Sequence, residues 1–204
     1  MSGVDTRAPD GVSPERICLA SASPRRQEIL TQIGVSFTVR PADIDEGPAH
    51  GEPPLDLAAR LAVEKLQEVQ DDVAERLVLA ADTVVFLGDQ LLGKPQNRED
   101  ARRMLTTLSG RTHAVVSAIA LYNREEDRVF TDAGVTKVMF ALLAEDEVEW
   151  YLDSGEWKGV AGGYRIQDRA AAFIPQIHGE YSTVVGLPIR PLYSILRQNK
   201  YLLP

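Results

Sequence analysis

The sequence predicts one mixed α/β unit, and three observations carry that prediction. Apolar runs at Ile17–Ala20 and Leu77–Leu87 have the make-up of buried strands, the second partly β-branched. Between them, residues 56–70 repeat their apolar side chains at helical spacing, so strand and helix alternate. Later, Arg111–Leu121 and Arg128–Phe140 read as two long strands joined by the charged turn Asn123–Asp127. An antiparallel pair is the natural outcome. No internal repeat, low-complexity segment or linker divides the 204 residues.

Bulk composition sets bounds on function. A hydrophobic fraction of 44% is enough for a sizeable core. The net charge of −8, with no long basic run, argues against nucleic acid as a partner. It leaves room for a small anion held in a local basic pocket. A single cysteine, Cys18, allows no internal disulfide and fits a reducing cytoplasm; in an apolar strand it reads as a core residue. No apolar run reaches membrane-spanning length. Residues 1–16 lack the apolar stretch of a signal peptide and read as a frayed tail ahead of one domain over 17–204. His50, His113 and His178 have no zinc-ligand spacing.

After the first strand, Ser21–Ser23 form a tight loop with two hydroxyls. Ser23 suits an N-cap and Pro24 the first helical position, and the helix should end at Gly34. Arg25 and Arg26 then fall in the first turn, where the helix dipole disfavours cations. Two readings are open there: a solvated arginine pair on an ordinary turn, or an anion cradle of N–H groups, hydroxyls and guanidiniums. Residues 36–40 read as a short strand. Residues 41–54 form a Pro-, Gly- and acid-rich loop with Asp43, Asp45 and Glu46 close together. This loop is either solvated or contributes a carboxylate to a divalent ion.

In the helix over residues 56–70, Lys65 falls inside the apolar arc rather than opposite it. Its head either snorkels to solvent or points into a cleft. Glu64 stands at the edge of that arc. Asp82-Thr83 interrupts the apolar run Leu77–Leu87. A carboxylate there must meet a cation or metal, or mark a turn out of the core. Beside phosphates it would suit a general base or metal ligand. Gly88-Asp89 reads as a hairpin turn with Leu91-Leu92 returning, and Lys94 follows it closely. Asn97 can cap a helix that ends at Ser109-Gly110.

Ala144–Leu152 reads as an acidic amphipathic helix. Gly159 to Arg169 is glycine-rich and reads as a ligand-facing loop or an ordinary one, followed by a strand over Ala170–Ile177. The amide of Gln167 offers a donor beside an acceptor, which matches the edge of uracil or thymine. Tyr181–Pro188 reads as a second small-residue loop, whose Ser182 and Thr183 touch phosphate or their own backbone. A last helix runs over residues 189–199.

Together these segments resemble the Maf family of nucleoside triphosphate pyrophosphatases. The matching residues are Ser21-Ala-Ser-Pro-Arg-Arg26, Glu64-Lys65, Ala81-Asp-Thr83, Gly93-Lys-Pro95, Leu108-Ser-Gly110, Ala161-Gly-Gly-Tyr164 with Ile166-Gln167, Tyr181-Ser182 and Val184-Val-Gly-Leu-Pro188. Each is short, but their order and spacing span nearly the whole chain.

The resemblance implies an elongated mixed β-sheet flanked by helices, with two lobes and a central cleft, as in inosine triphosphate pyrophosphatases. It implies hydrolysis of a nucleoside triphosphate to monophosphate and pyrophosphate with Mg²⁺ or Mn²⁺, and a homodimer. Ile-Gln at this place resembles the branch acting on dTTP and UTP. Asp82 matches the proton acceptor and metal position, and Glu46 an acidic position linked to metal or water. Arg25, Arg26, Lys65 and Lys94 match the cations around the triphosphate. Arg26, Thr83 and Gln167 match positions tied to substrate choice, and Ser21 and Ser23 belong to the phosphate loop. Val160 stands where the family often has lysine, and Asp168-Arg169 where it has small residues. A nucleotide-binding regulator of septum formation with little turnover is the alternative reading. A phosphate-transferring enzyme is disfavoured, since no Gly-x-x-x-x-Gly-Lys-Ser/Thr loop is present.

Overall fold

A computed structural model describes residues 15–201, so most of the predicted tail lies outside the described residues. A seven-stranded mixed sheet forms the centre. Strand β1 (Ile17–Leu19) lies parallel between β2 (Phe37–Val39) and β3 (Leu77–Leu87). On the far side of β3, β5 (Thr112–Asn123) and β6 (Arg128–Met139) form the long antiparallel ladder, and β7 (Gln176–His178) pairs only with the end of β6. The short β4 (Gln90–Leu91) folds back on the end of β3.

β3 is the strand that positions the chemistry. It runs unbroken through Asp82-Thr83 and makes no turn there. Strand alternation sends successive side chains to opposite faces. Val78, Ala80, Val84 and Phe86 pack under α2 (Pro54–Val69), and Asp82 shares their face. Leu79, Ala81 and Val85 pack in the larger core on the other face, and Thr83 shares theirs. On one side β3 has a partner up to Leu79, whose carbonyl accepts from Ala20 N at 2.7 Å. It has one again from Val85, whose carbonyl accepts from Leu92 N at 2.8 Å. Between these points β1 has ended and β4 has not begun, which leaves a gap in the sheet beside Asp82.

Helices cover both faces. α2 buries Leu57, Leu61, Leu66 and Val69, and Lys65 is buried with them. On the opposite face lie α1 (Pro24–Gln32), α3 (Arg98–Leu108), α4 (Glu145–Ser154), α5 (Tyr181–Val185) and α6 (Ile189–Gln198). Asn97 caps α3 as expected, accepting from Asp100 N at 2.9 Å. Gly34 takes φ +76° after α1, the left-handed turn that stops the helix. Ser23 occupies the cap position of α1, but its hydroxyl makes no cap bond.

Two segments differ from expectation. Ala170–Ile177 is not one strand: Arg169–Phe173 is a 3-10 turn, and only Gln176–His178 joins the sheet. The alanines have little to pack on a pleated surface, whereas the turn drives Phe173 between Phe140, Trp150 and Tyr151. Tyr181–Val185 is the short helix α5 rather than loop, because it docks on a flat spot of the sheet. A β-carbon on Gly134 of β6 would stand 2.4 Å from Thr183 Oγ1 and 3.1 Å from Pro188 Cβ. Among the described residues, no helix is long and apolar enough to cross a membrane.

Candidate active site

A cleft of about 670 Å³ opens at the gap in the sheet. Ser21, Ser23, Arg25, Arg26, Glu46, Lys65, Asp82, Thr83, Lys94 and Gln167 all line it, so the residues matched to substrate, metal and proton transfer reach one cavity. They arrive from β1, α1, the acidic loop, α2, β3, the segment after β4 and the glycine-rich loop.

The α2 face of the cleft carries a chain of alternating charges. Lys65 Nζ donates to Asp82 Oδ1 at 2.5 Å and to Glu46 Oε1 at 2.6 Å. Lys94 donates to the other oxygen of Glu46. Asp82 and Lys65 are both buried. The apolar arc of α2 therefore points Lys65 into the cleft, where Asp82 answers it. Burial pushes the Glu46 carboxyl up, but the hydrogen bonds from Lys65 and Lys94 outweigh it and bring the pKa to about 2. Glu64, by contrast, pairs with Arg60 at 3.0 Å and orients no catalytic group.

The other face is built by the phosphate-loop candidates, and its two arginines divide. Arg26 is buried, and three of its N–H groups hold structure. Its Nε donates to Gly186 O at 2.9 Å, its Nη1 to Ser21 Oγ at 2.9 Å and its Nη2 to Thr83 Oγ1 at 3.2 Å. Desolvation lowers its pKa, partly offset by Asp82 and Glu46. Ser21 Oγ accepts from Arg26 and from Ser23 N at 3.3 Å, so its own proton is left to donate. Arg25 is half-buried and has no hydrogen bond or ion pair among the described residues. Burial, then Arg165 and Arg26, lower its pKa. Arg25 and Arg165 crowd together at the cleft, their repulsion partly offset by Asp168 and Glu28, an arrangement suited to an anion.

Arg165 is the residue that sequence reasoning missed. It lines the cleft beside Gln167, and its Nε is buried with no hydrogen-bond partner among the described residues. Its available signal was a cation directly after Gly162-Gly163-Tyr164. Gln167 is half-buried, and its amide makes no hydrogen bond among the described residues. Asp168 and Arg169 do not pair with each other: Asp168 lies 3.8 Å from Arg165, and Arg169 reaches Glu156 at 3.5 Å. Ser182 serves its own loop, accepting from Ile189 N at 3.1 Å, and lies outside the cleft lining.

The donor set bears on a divalent ion. Among the described residues, no group of three or more His, Cys, Asp and Glu converges on a common point. Both Glu46 oxygens are engaged by lysines, whereas Asp82 Oδ2 accepts no hydrogen bond among the described residues. This fits Mg²⁺ or Mn²⁺ taken through one or two carboxylates together with substrate phosphates and water, and not an all-protein cage.

Fold and site define an α/β protein with a cleft lined by cations and organised round a buried carboxylate. The chain belongs to the family described as Maf-like protein, whose pattern it matches over residues 16–199. It is 46% identical over 191 residues to a dTTP/UTP pyrophosphatase of Anaeromyxobacter dehalogenans, covering 93% of this chain and 96% of that one. It is 43% identical over 183 residues to a dTTP/UTP pyrophosphatase of Aquifex aeolicus, covering 90% and 95%. The fold also matches a HAM1 protein from Coxiella burnetii, with a TM-score of 0.50 at 16% identity, covering 90% of this chain and 99% of that one.

Proposed function

We propose that this protein hydrolyses dTTP and UTP between the α and β phosphates, giving a nucleoside monophosphate and pyrophosphate. One observation carries the reading: a buried carboxylate, Asp82, stands in a cleft ringed by Arg25, Lys65, Lys94 and Arg165. The names of the relatives support the choice of nucleotides.

Each residue then has a task. Lys65 holds Asp82 by one oxygen, so the other is left to take a proton from water. Arg25, Arg165, Lys94 and Lys65 neutralise the triphosphate and the charge that grows on departing pyrophosphate. Ser21 and Ser23 offer their hydroxyls, and Arg25 and Arg26 the first free N–H groups of α1, to phosphate oxygens. Gln167 presents its amide to the imide edge of the base. A bound Mg²⁺ or Mn²⁺ would polarise the phosphoryl oxygens. Asp82 would hold it, and Glu46 would join only if one lysine swings away. Lys94, more exposed than Lys65, is the one free to do so.

We place the activity in a reducing cytoplasm, consistent with the free, buried Cys18, with the nucleotide and not nucleic acid as partner. The resemblance to Maf proteins supports a homodimer. The deciding experiment is a panel of canonical and modified triphosphates with Mg²⁺ or Mn²⁺, reading pyrophosphate and orthophosphate separately. Pyrophosphate from dTTP and UTP is the expected result. Orthophosphate alone would overturn the reading, and tight binding without turnover would select the regulator instead.

A further inference from the structure

Ser117 lies outside the cleft lining, on β5, fully buried. It is paired in register with Thr83 on β3 and with Gly134 on β6, and α5 sits over this row. Its Oγ lies 2.7 Å from Thr183 O and 2.8 Å from Thr83 Oγ1. A carbonyl only accepts, so the single proton of Ser117 goes to Thr183 O. The Thr83–Ser117 contact then requires the proton of Thr83, since two oxygens that close with no proton between them would repel. The carbonyl of Gly186 lies farther from Thr83 Oγ1, at 3.4 Å, and loses that competition. Arg26, a pure donor, approaches the same Thr83 oxygen at 3.2 Å.

We propose that Ser117 is a positioning residue that fixes Thr83 as a hydrogen-bond acceptor toward the cleft, so that Thr83 reads a donor on the nucleotide and not a phosphate oxygen. This rests on the proposed nucleotide activity and deepens it. Phosphate groups bound beside cations carry only acceptors. dTTP and UTP offer donors in two places, the imide N–H of the base and the sugar hydroxyls. Both share the chemistry that an acceptor-only Thr83 selects. Ser117 thus ties substrate choice to the docking of α5, because its proton is committed to the backbone of that helix.

The test compares affinity by calorimetry and kcat/KM for UTP with N3-methyl-UTP, which lacks the imide donor, and for dTTP with 3′-deoxythymidine triphosphate, which lacks the 3′-hydroxyl. In the unmodified protein, one analogue should lose about tenfold or more relative to its parent. The analogue whose loss shrinks in Thr83→Val identifies which donor Thr83 reads, since Gln167 also faces the imide edge. In Ser117→Ala the hydroxyl of Thr83 is released to turn, and that loss should shrink to roughly threefold or less. Ser117→Thr keeps the hydroxyl and should restore discrimination. Thr83→Val leaves the Ser117–Thr183 bond in place and should lower discrimination at least as far, which provides a readout if Ser117→Ala does not fold. Unchanged discrimination in Ser117→Ala or Thr83→Val, or none in the unmodified protein, overturns the proposal. Calorimetry reads this without turnover, so a protein that binds and discriminates but does not hydrolyse would count against the activity alone.

Discussion

Lys65 and Asp82 share a 2.5 Å hydrogen bond at the floor of the cleft, both buried, one from a helix and one from the middle of a strand. Each explains the other's presence in an apolar setting. Removing either partner leaves a charge with reduced compensation, so the pair has consequences for both stability and catalysis.

Asp82→Asn keeps the shape of the side chain and removes its capacity to take a proton. Hydrolysis of dTTP should fall by about 10²-fold or more, while nucleotide affinity changes far less. Steady-state kinetics set beside calorimetric binding measures both. Full activity in Asp82→Asn would remove Asp82 from the role of general base.

Lys65→Met keeps the length and apolar stem of the lysine but abandons Asp82. Global stability should drop by about 3 kcal/mol, the scale for breaking a buried ion pair. Urea denaturation of Lys65→Met, alone and combined with Asp82→Leu, checks this. The double variant should recover part of the loss.

Arg165→Ala should raise KM for the triphosphate about tenfold, more than it lowers kcat, through loss of a charge-assisted contact in the ground state. Inhibition by pyrophosphate should weaken in parallel. An unchanged KM would place Arg165 on the wall of the cleft and not on the ligand.

His113 gives a pH dependence with a definite sign. It is buried, with Nε2 2.7 Å from Tyr164 Oη, and burial brings its pKa from 6.5 down to about 4. The folded protein therefore binds this proton less readily than the unfolded chain does. The stability this gives is fully present above pH 6.5 and is lost as pH falls from 6.5 through 4. It amounts to about 3 kcal/mol across that window. Denaturation of His113→Phe should show a correspondingly flatter pH profile between those limits.

Gly134→Ala introduces a β-carbon 2.4 Å from Thr183 Oγ1. Overpacking of this kind costs about 1–3 kcal/mol. The same substitution in a Thr183→Ala background, where the opposing oxygen is gone, should cost less. Thermal or urea melts of the four proteins in the cycle read that coupling directly.

The alternation of strands and helices was legible because burial forces it: β3 and α2 announce themselves by their spacing. The site was legible for the same reason, since Lys65 in an apolar arc and Asp82 in an apolar strand each violate the local pattern. Arg165 violated nothing, because an arginine in a loop is ordinary and only the fold shows that its loop lines the cleft. Ser117 was equally silent, as a small hydroxyl in a strand needs no special partner until register sets Thr83 beside it. The division of labour between Arg25 and Arg26 could not be read from adjacent letters. It depends on which side of α1 faces Gly186. Residues 170–177 misled because alanines fit either state, and the aromatic cluster around Phe173 decided it.

The gap in the sheet has a further consequence. Between Leu79 and Val85, β3 is an open edge, and unpaired strand edges invite pairing with another chain. This one is short and recessed, and a buried aspartate and lysine stand beside it. An incoming strand would meet these charged groups in place of an apolar surface, which disfavours strand pairing at this gap.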